Sequence, residues 1–289
     1  MPYFERGHVR IYYEDHGEGE AILTNHGLME DGTYWSETGV TEKLAEQYRV
    51  ISMDMRGHGR TIVDGIPFGY DVSTMGNDFG ALADELEIDR FHILTHATGG
   101  MAAVRYAMTT SERLISLMLT DTGSETAPEM PDNFPEISDE EKHKMRQDGL
   151  EMLKSLTAEE RIVGARENPG PFLYKMDENP DSERMWKIYE SFVHRSDSVA
   201  VAEFMKSFYC DPNPMVEGLR QIKCPTLILL GEFDDVFIKP SEVMAKEIPD
   251  NRHVIIKGVG HMTAIEAPDQ TIGELTDFLD TVKKKGKAK

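Results

Sequence analysis

Residues 94 to 100 read LTHATGG. The apolar run FHILTHA (91–97) breaks there into the small-residue turn TGG (98–100), and a helix-compatible run, MAAVRYAM (101–108), follows at once. A strand, a tight turn and a helix in such close succession make a βα unit, and the apex of its turn is Ala97.

The same alternation spreads outward on both sides. VRIYYED (9–15), AILTNHG (21–27) and YRVISMDM (48–55) are β-rich runs, while VTEKLAEQ (40–47) and MGNDFGALADELEI (75–88) read as helices. After the central unit come a strand, LISLMLTDT (114–122), and a break. SETAPEMPDNFPEISDEEKHKMRQ (124–147) is acidic and Pro-rich, and the stretch to about Leu219 reads as helix with no convincing strand. Alternation resumes with CPTLILLGEFDD (224–235), SEVMAKEI (241–248), RHVIIKG (252–258) and TIGELTDFLDTV (271–282). Strands with apolar centres separated by helices predict a mostly parallel sheet covered on both faces. The expected organisation is an α/β core over 1–124 and 220–289, with a helical insert over 125–219.

Composition narrows the function classes. The chain has 289 residues, 39% of them hydrophobic and 29% charged, and a formal net charge of −21. Such a field repels nucleic acid and anionic membranes, so neither is an expected partner; a small molecule is. The one basic cluster, KKKGKAK (283–289), reads as a solvated tail. No apolar run approaches the ~20 residues of a membrane span, and MPYFERGHVR (1–10) has no apolar signal core, which predicts a cytoplasmic protein. Cys210 and Cys224 have no metal-ligand spacing and form no disulfide framework. Neither a metal nor a cofactor is expected, and oligomeric state is not legible.

Ligands of open α/β sheets bind at the carboxyl ends of the strands. Those ends carry NHGLMEDG (25–32), DMRGHGRT (54–61), THATGG (95–100), GEFDD (231–235) and GVGHM (258–262). In that order they resemble the α/β-hydrolase fold family, whose signature is a Gly-x-Ser-x-Gly nucleophile elbow followed along the chain by an acid and a histidine. The resemblance covers nearly all of the chain outside the insert. It implies an eight-stranded, mostly parallel sheet with a helical cap, and a serine esterase or lactonase mechanism. Thr95 stands where the family's first elbow glycine is usual.

By that resemblance Ala97 occupies the nucleophile position, His261 is the base, Asp234 orients it, and the backbone N–H groups of Leu28 and Thr98 form the oxyanion hole. Asp235 and Asp121 are the competing acids. His26 and His58 are expected to brace their turns, His96 to pack beside the elbow, and His8, His16, His92, His143, His194 and His253 to be surface residues. Trp186, Tyr189, Phe192 and Phe208 of the insert are the candidate substrate-binding residues, from a set that also holds Phe204, Met205 and Tyr209. Their helical spacing equally suits packing of the insert on the sheet.

Alanine has no nucleophile, so the chain as written is expected to be nearly inert as a serine hydrolase. Either alanine has replaced a serine, as is done to trap an uncleaved ligand, or the natural protein uses the scaffold without one. The intact remainder of the constellation favours the first. With serine restored, HSTGG resembles esterases, lactonases and perhydrolase-like members; a dehalogenase would present aspartate there. Three alternatives stay open: a small-molecule receptor, a carbon–carbon bond hydrolase, and a cofactor-free oxygenase using the His/Asp pair.

Overall fold

The structure, a computed structural model, describes residues 2–65, 70–127 and 138–287. The first four strands are β1 (Tyr3–Arg6), β2 (Val9–His16), β3 (Glu20–Asn25) and β4 (Tyr48–Met53), with helices α1 (Tyr34–Glu37) and α2 (Val40–Leu44) between the last two. After β5 (Ile62–Val63) the chain runs α3 (Val72–Glu85), β6 (Phe91–His96), α4 (Ala97–Thr110), β7 (Leu114–Thr120). The sheet order is β1-β2-β4-β3-β6-β7-β8-β9, where β8 is Thr226–Gly231 and β9 is Asn251–Ile256. From β4 to β9 every pairing is parallel, while β2 pairs antiparallel with both β1 and β4.

The count corrects the expected eight strands to nine. Eight lie on the main path, and β5 pairs with β2 at Val9 and Arg10. Two residues are too few to show an alternating pattern, which is why this strand was not legible.

Every side chain of β6 and β8 is buried. Alternate residues point to opposite faces, so Ile93 joins the core with α3 and α4 while Leu94 joins the second core with Tyr34, Trp35 and Leu44. That second core is closed by α13 (Pro268–Lys287), through Leu275, Phe278 and Leu279; α11 (Ile238–Glu247) and α12 (Thr263–Glu266) precede it. Two expectations change here. His92 is not a surface residue: it sits on central β6, is fully buried, and its Nδ1 lies 2.7 Å from Ser116 Oγ. The basic tail through Lys287 continues α13, as favourable helix formers at a helix C-terminus do; residues 288–289 lie outside the described residues.

Between β7 and β8, the described residues 138–219 contain helices and no strand: α5 (Asp139–Ser155), α6 (Ala158–Glu167), α7 (Gly170–Glu178), α8 (Ser182–Arg195), α9 (Ser198–Phe208) and α10 (Val216–Leu219). Residues 128–137 of the Pro-rich stretch lie outside the described residues. The two ends of this segment are tied together. Thr126 and Ala127 donate backbone N–H bonds to Asp211 O, at 2.9 and 3.0 Å, and Asp211 N returns one to Thr126 Oγ1. Arg105 of α4 reaches Ser124 O and the Asp211 carboxylate, bracing both stems against the sheet.

The turn between β6 and α4 is tight enough to exclude side chains. Ala97 has φ +44°, a left-handed conformation that non-glycine residues rarely adopt. A Cβ at Gly99 would stand 2.7 Å from His26 O, a backbone atom of the neighbouring loop. Gly99→Ala is therefore expected to cost about 1–3 kcal/mol of stability through overpacking, read as a lowered urea midpoint. An unchanged midpoint would mean that the two loops are not held together.

Candidate active site

The carboxyl ends of β3, β6, β7 and β8 meet at one cavity of about 430 Å³ under the helical segment. Ala97 forms part of its floor and is 6% exposed; Leu28, Thr98 and His261 border it too. Thr122 Oγ1 donates to Ala97 O at 2.6 Å, fixing the turn's apex from the strand next door. Among the described residues, the backbone N–H groups of Leu28 and Thr98 have no intramolecular acceptor, so both remain available to a ligand oxygen.

His261 leaves the loop after β9, where Glu266 accepts from Gly260 N at 2.8 Å and Met262 N at 3.0 Å and so sets the loop's shape. Its ring lies between Phe172 and Phe237, with centroids at 4.7 and 5.4 Å. His261 Nδ1 is 2.9 Å from Asp234 Oδ2. Asp234 is fully buried after β8, whereas Asp235 is exposed. Burial alone would lower the His261 pKa, but the charge and hydrogen bond of Asp234, with Asp121 and Glu266 behind them, raise it above the ordinary 6.5.

Asp121 stands behind this pair. Its carboxylate accepts from Thr263 Oγ1 at 2.6 Å and Gly231 N at 3.2 Å. Burial, and then the neighbouring Asp234, push its pKa well above the usual carboxylate range. Asp121, Asp234 and His261 have ligand atoms within 4.8 Å of one another, the spacing a cation would need. The 2.9 Å bond pairs Asp234 with the imidazole, and Asp121 is held beside the pair by its own two donors.

The other histidines brace the floor. His26 Nε2 accepts from Met55 N at 3.0 Å and its Nδ1 is 2.8 Å from Gly27 O; burial lowers its pKa to about 4. His58 Nδ1 lies 3.1 Å from Arg56 O. His96 is fully buried, stacked on Tyr34 at 4.6 Å, with its ring 5.0 Å from that of His261. Burial, then His261 and His26, hold it neutral.

Of the four candidate substrate-binding residues, Tyr189 alone borders the cavity. Trp186, Phe192 and Phe208 are corrected to core residues, at most 1% exposed. Trp186 and Phe192 belong to the core under α7 and α8, with Trp186 Nε1 donating to Asp177, and Phe208 stacks on Phe204 at 4.8 Å. Large aromatics on an amphipathic helix turn to its packed face, and here Trp186 meets Asp177 of α7 and Arg166 of α6 while Phe192 lies near Tyr34 of α1. The walls come instead from Phe172, Leu173, Met205, Tyr209 and Phe237, and from Glu30 in the loop after β3. Tyr209 Oη is 2.5 Å from Thr98 Oγ1, tying the end of α9 to the elbow. The NPGP stretch at 168–171, which opens α7, was the available signal for Phe172.

An elbow at the end of a central parallel strand, followed by an acid after β8 and a histidine after β9, defines a class. The chain belongs to the α/β hydrolase fold family, whose model matches residues 20–268. A 2-hydroxy-6-oxononadienedioate/2-hydroxy-6-oxononatrienedioate hydrolase from Cupriavidus pinatubonensis is 27% identical over 281 residues, 93% of this chain and 90% of its own. Two solved structures share the fold. An esterase from Thermogutta terrifontis has a TM-score of 0.71 at 24% identity, covering 95% of this chain and 94% of that one. The enol-lactonase from Burkholderia xenovorans has a TM-score of 0.73 at 20% identity, covering 96% and 100%. Among the described residues, no helix is long and apolar enough to cross a membrane.

Proposed function

We propose that this site is built to hydrolyse a largely apolar, uncharged carboxylic ester or lactone through a residue-97 nucleophile, His261 and Asp234. With alanine at 97 the chain keeps ligand binding and loses nearly all turnover. The observation that carries this reading is the 2.9 Å His261–Asp234 bond at the wall of the cavity whose floor is Ala97. In this reading residues 125–219 cap a core formed by 1–124 and 220–289.

The chemistry follows from the positions. A serine hydroxyl at 97 gives its proton to His261 Nε2 as its oxygen adds to the ligand carbonyl, and the new oxyanion is met by the N–H groups of Leu28 and Thr98. Asp234 keeps the other imidazole proton on Nδ1. The alcohol leaves with the proton from Nε2, and water then repeats the sequence to release the acid.

The lining favours an uncharged ligand. A 430 Å³ cavity suits a small molecule, and no lysine or arginine borders it among the described residues. The Cupriavidus relative is named for a dioate, and this wall offers no cation to such an anion. A second reading, a small-molecule receptor, is favoured by the missing nucleophile alone. One experiment separates them: the chain is incubated with a panel of aryl esters, aliphatic esters and lactones, and bound species are identified by native mass spectrometry before and after Ala97→Ser. Intact ligand on the Ala97 chain and product from the serine form are expected. Intact ligand on both would favour the receptor.

A pH dependence follows from the raised His261 pKa. Its charged form is favoured by the fold, so that stabilisation is complete below the ordinary value of 6.5 and fades as pH rises through the raised one. Catalysis runs in the opposite sense, because only the neutral ring accepts a proton. The Ala97→Ser protein should therefore gain kcat/KM through a limb whose midpoint lies above 6.5. A limb at or below that value would show that the ring is not held by carboxylates in solution.

A further inference from the structure

The loop HGLMED carries two adjacent acids with unlike surroundings. Asp31 is neutralised: its carboxylate accepts from Arg195 Nε at 2.6 Å and from Thr33 Oγ1 at 2.6 Å. These bonds outweigh its burial and hold its pKa low. Asp54, also buried, is paired with Arg60 at 3.1 Å. Glu30 is 4% exposed and borders the ligand cavity, yet among the described residues no lysine or arginine is paired with it. Its Oε2 accepts from Gly27 N at 2.6 Å, which fixes the plane of the carboxyl. Its Oε1 has no hydrogen-bond partner among the described residues; His96 Nε2 stands 3.5 Å from it, itself buried without a partner.

We propose that Glu30 is a ligand-binding acid of this site, whose Oε1 donates a hydrogen bond to an oxygen of the bound carbonyl compound, so that the cavity takes uncharged ligands carrying such an acceptor and turns away carboxylates. The assignment rests on the reading of this cavity as a site for an uncharged ester or lactone. A carboxylate enclosed in an apolar wall without a cation is too costly to keep, so the group holds its proton. Burial pushes its pKa well above the usual range, and the single Gly27 N–H offsets this only in part. With Oε2 occupied as an acceptor, the proton belongs on Oε1. A carboxylate brought by a ligand would have to leave water for this apolar wall and gain no counter-charge there.

The groups facing Glu30 are Asp31 in its own loop, His96 from β6, Tyr34 of α1, Tyr189 of α8 and Tyr209 after α9. His96 stays neutral, and burial pushes all three phenols up, Tyr189 to about 12. His261 titrates in every variant, so a difference between parent and Glu30→Gln reports Glu30.

The test uses the Ala97 chain, in which a ligand is not consumed. Affinities for methyl phenylacetate and for phenylacetate are measured by calorimetry from pH 6 to 9 in the parent, Glu30→Gln and Glu30→Ala, alongside infrared difference spectra of parent against Glu30→Gln at pH 7. The parent should bind the ester at least about tenfold tighter than the anion, and Glu30→Ala should lose about tenfold for the ester, one hydrogen bond's worth. Gln keeps both the bond from Gly27 and a donor, so its ester affinity should stay within about threefold of the parent. The parent's ester affinity should weaken as Glu30 ionises while that of Glu30→Gln does not, a difference that a purely loop-holding role would not produce. The spectra should show the carbonyl band of a protonated carboxyl lost in Glu30→Gln. Equal ester affinity in the parent and Glu30→Ala, or no such band, each overturns the assignment and leaves the ester reading standing. No binding of the ester by any of the three proteins overturns both.

Discussion

The Ala97→Ser protein should hydrolyse an ester or lactone about 10⁴ to 10⁶ times faster than the Ala97 chain, the range lost when members of such a triad are removed. The turn already carries a side chain at φ +44°, so serine needs no conformation that alanine lacks. Its Cβ replaces a methyl that borders the same cavity as His261, and one added oxygen is a small demand on 430 Å³. The oxyanion donors proposed at Leu28 and Thr98 are backbone groups, indifferent to the side chain at 97. Initial rates on the ester and lactone panel measure the effect, with His261→Ala in the same background as the control. A serine protein that stays inert on the whole panel and resists labelling by an organophosphate would remove the hydrolase reading.

The second large effect concerns the acid. In the Ala97→Ser background, Asp234→Asn should lower kcat by about 10⁴, because an amide at that position no longer selects the tautomer with its proton on Nδ1. Asp121→Asn should cost far less. The Asp121 carboxyl is occupied by Thr263 and Gly231, and Asp234 holds the direct bond to the ring. Comparable losses at the two positions would show that His261 changes partner during turnover.

The parts that were legible in the sequence are those in which a local pattern and a backbone requirement coincide. Strand β6 is a short, wholly buried run followed by residues small enough for the elbow, and the acids and histidine sit where later strands end. The cavity walls were less legible because a helix's aromatic stripe does not say which neighbour it meets. Trp186 and Phe192 turned to neighbouring helices, while Phe172, from a helix opened by proline and glycine, met the His261 ring. Glu30 was not legible as a site residue, since a carboxyl in a loop beside another acid reads as solvent-facing. Both acids are buried, and what distinguishes them is that Asp31 meets Arg195 while Glu30 faces His96.

The knot of bonds joining Thr126, Asp211 and Arg105 makes the helical segment a detachable accessory in evolutionary terms. It leaves and re-enters the sheet at a single doorway, so its length and composition can be rewritten with little added loop-closure entropy and without shifting β7 or β8. Changes to the lining supplied by α7, α8 and α9 can thus alter what the cavity admits while the strand ends beneath keep their places.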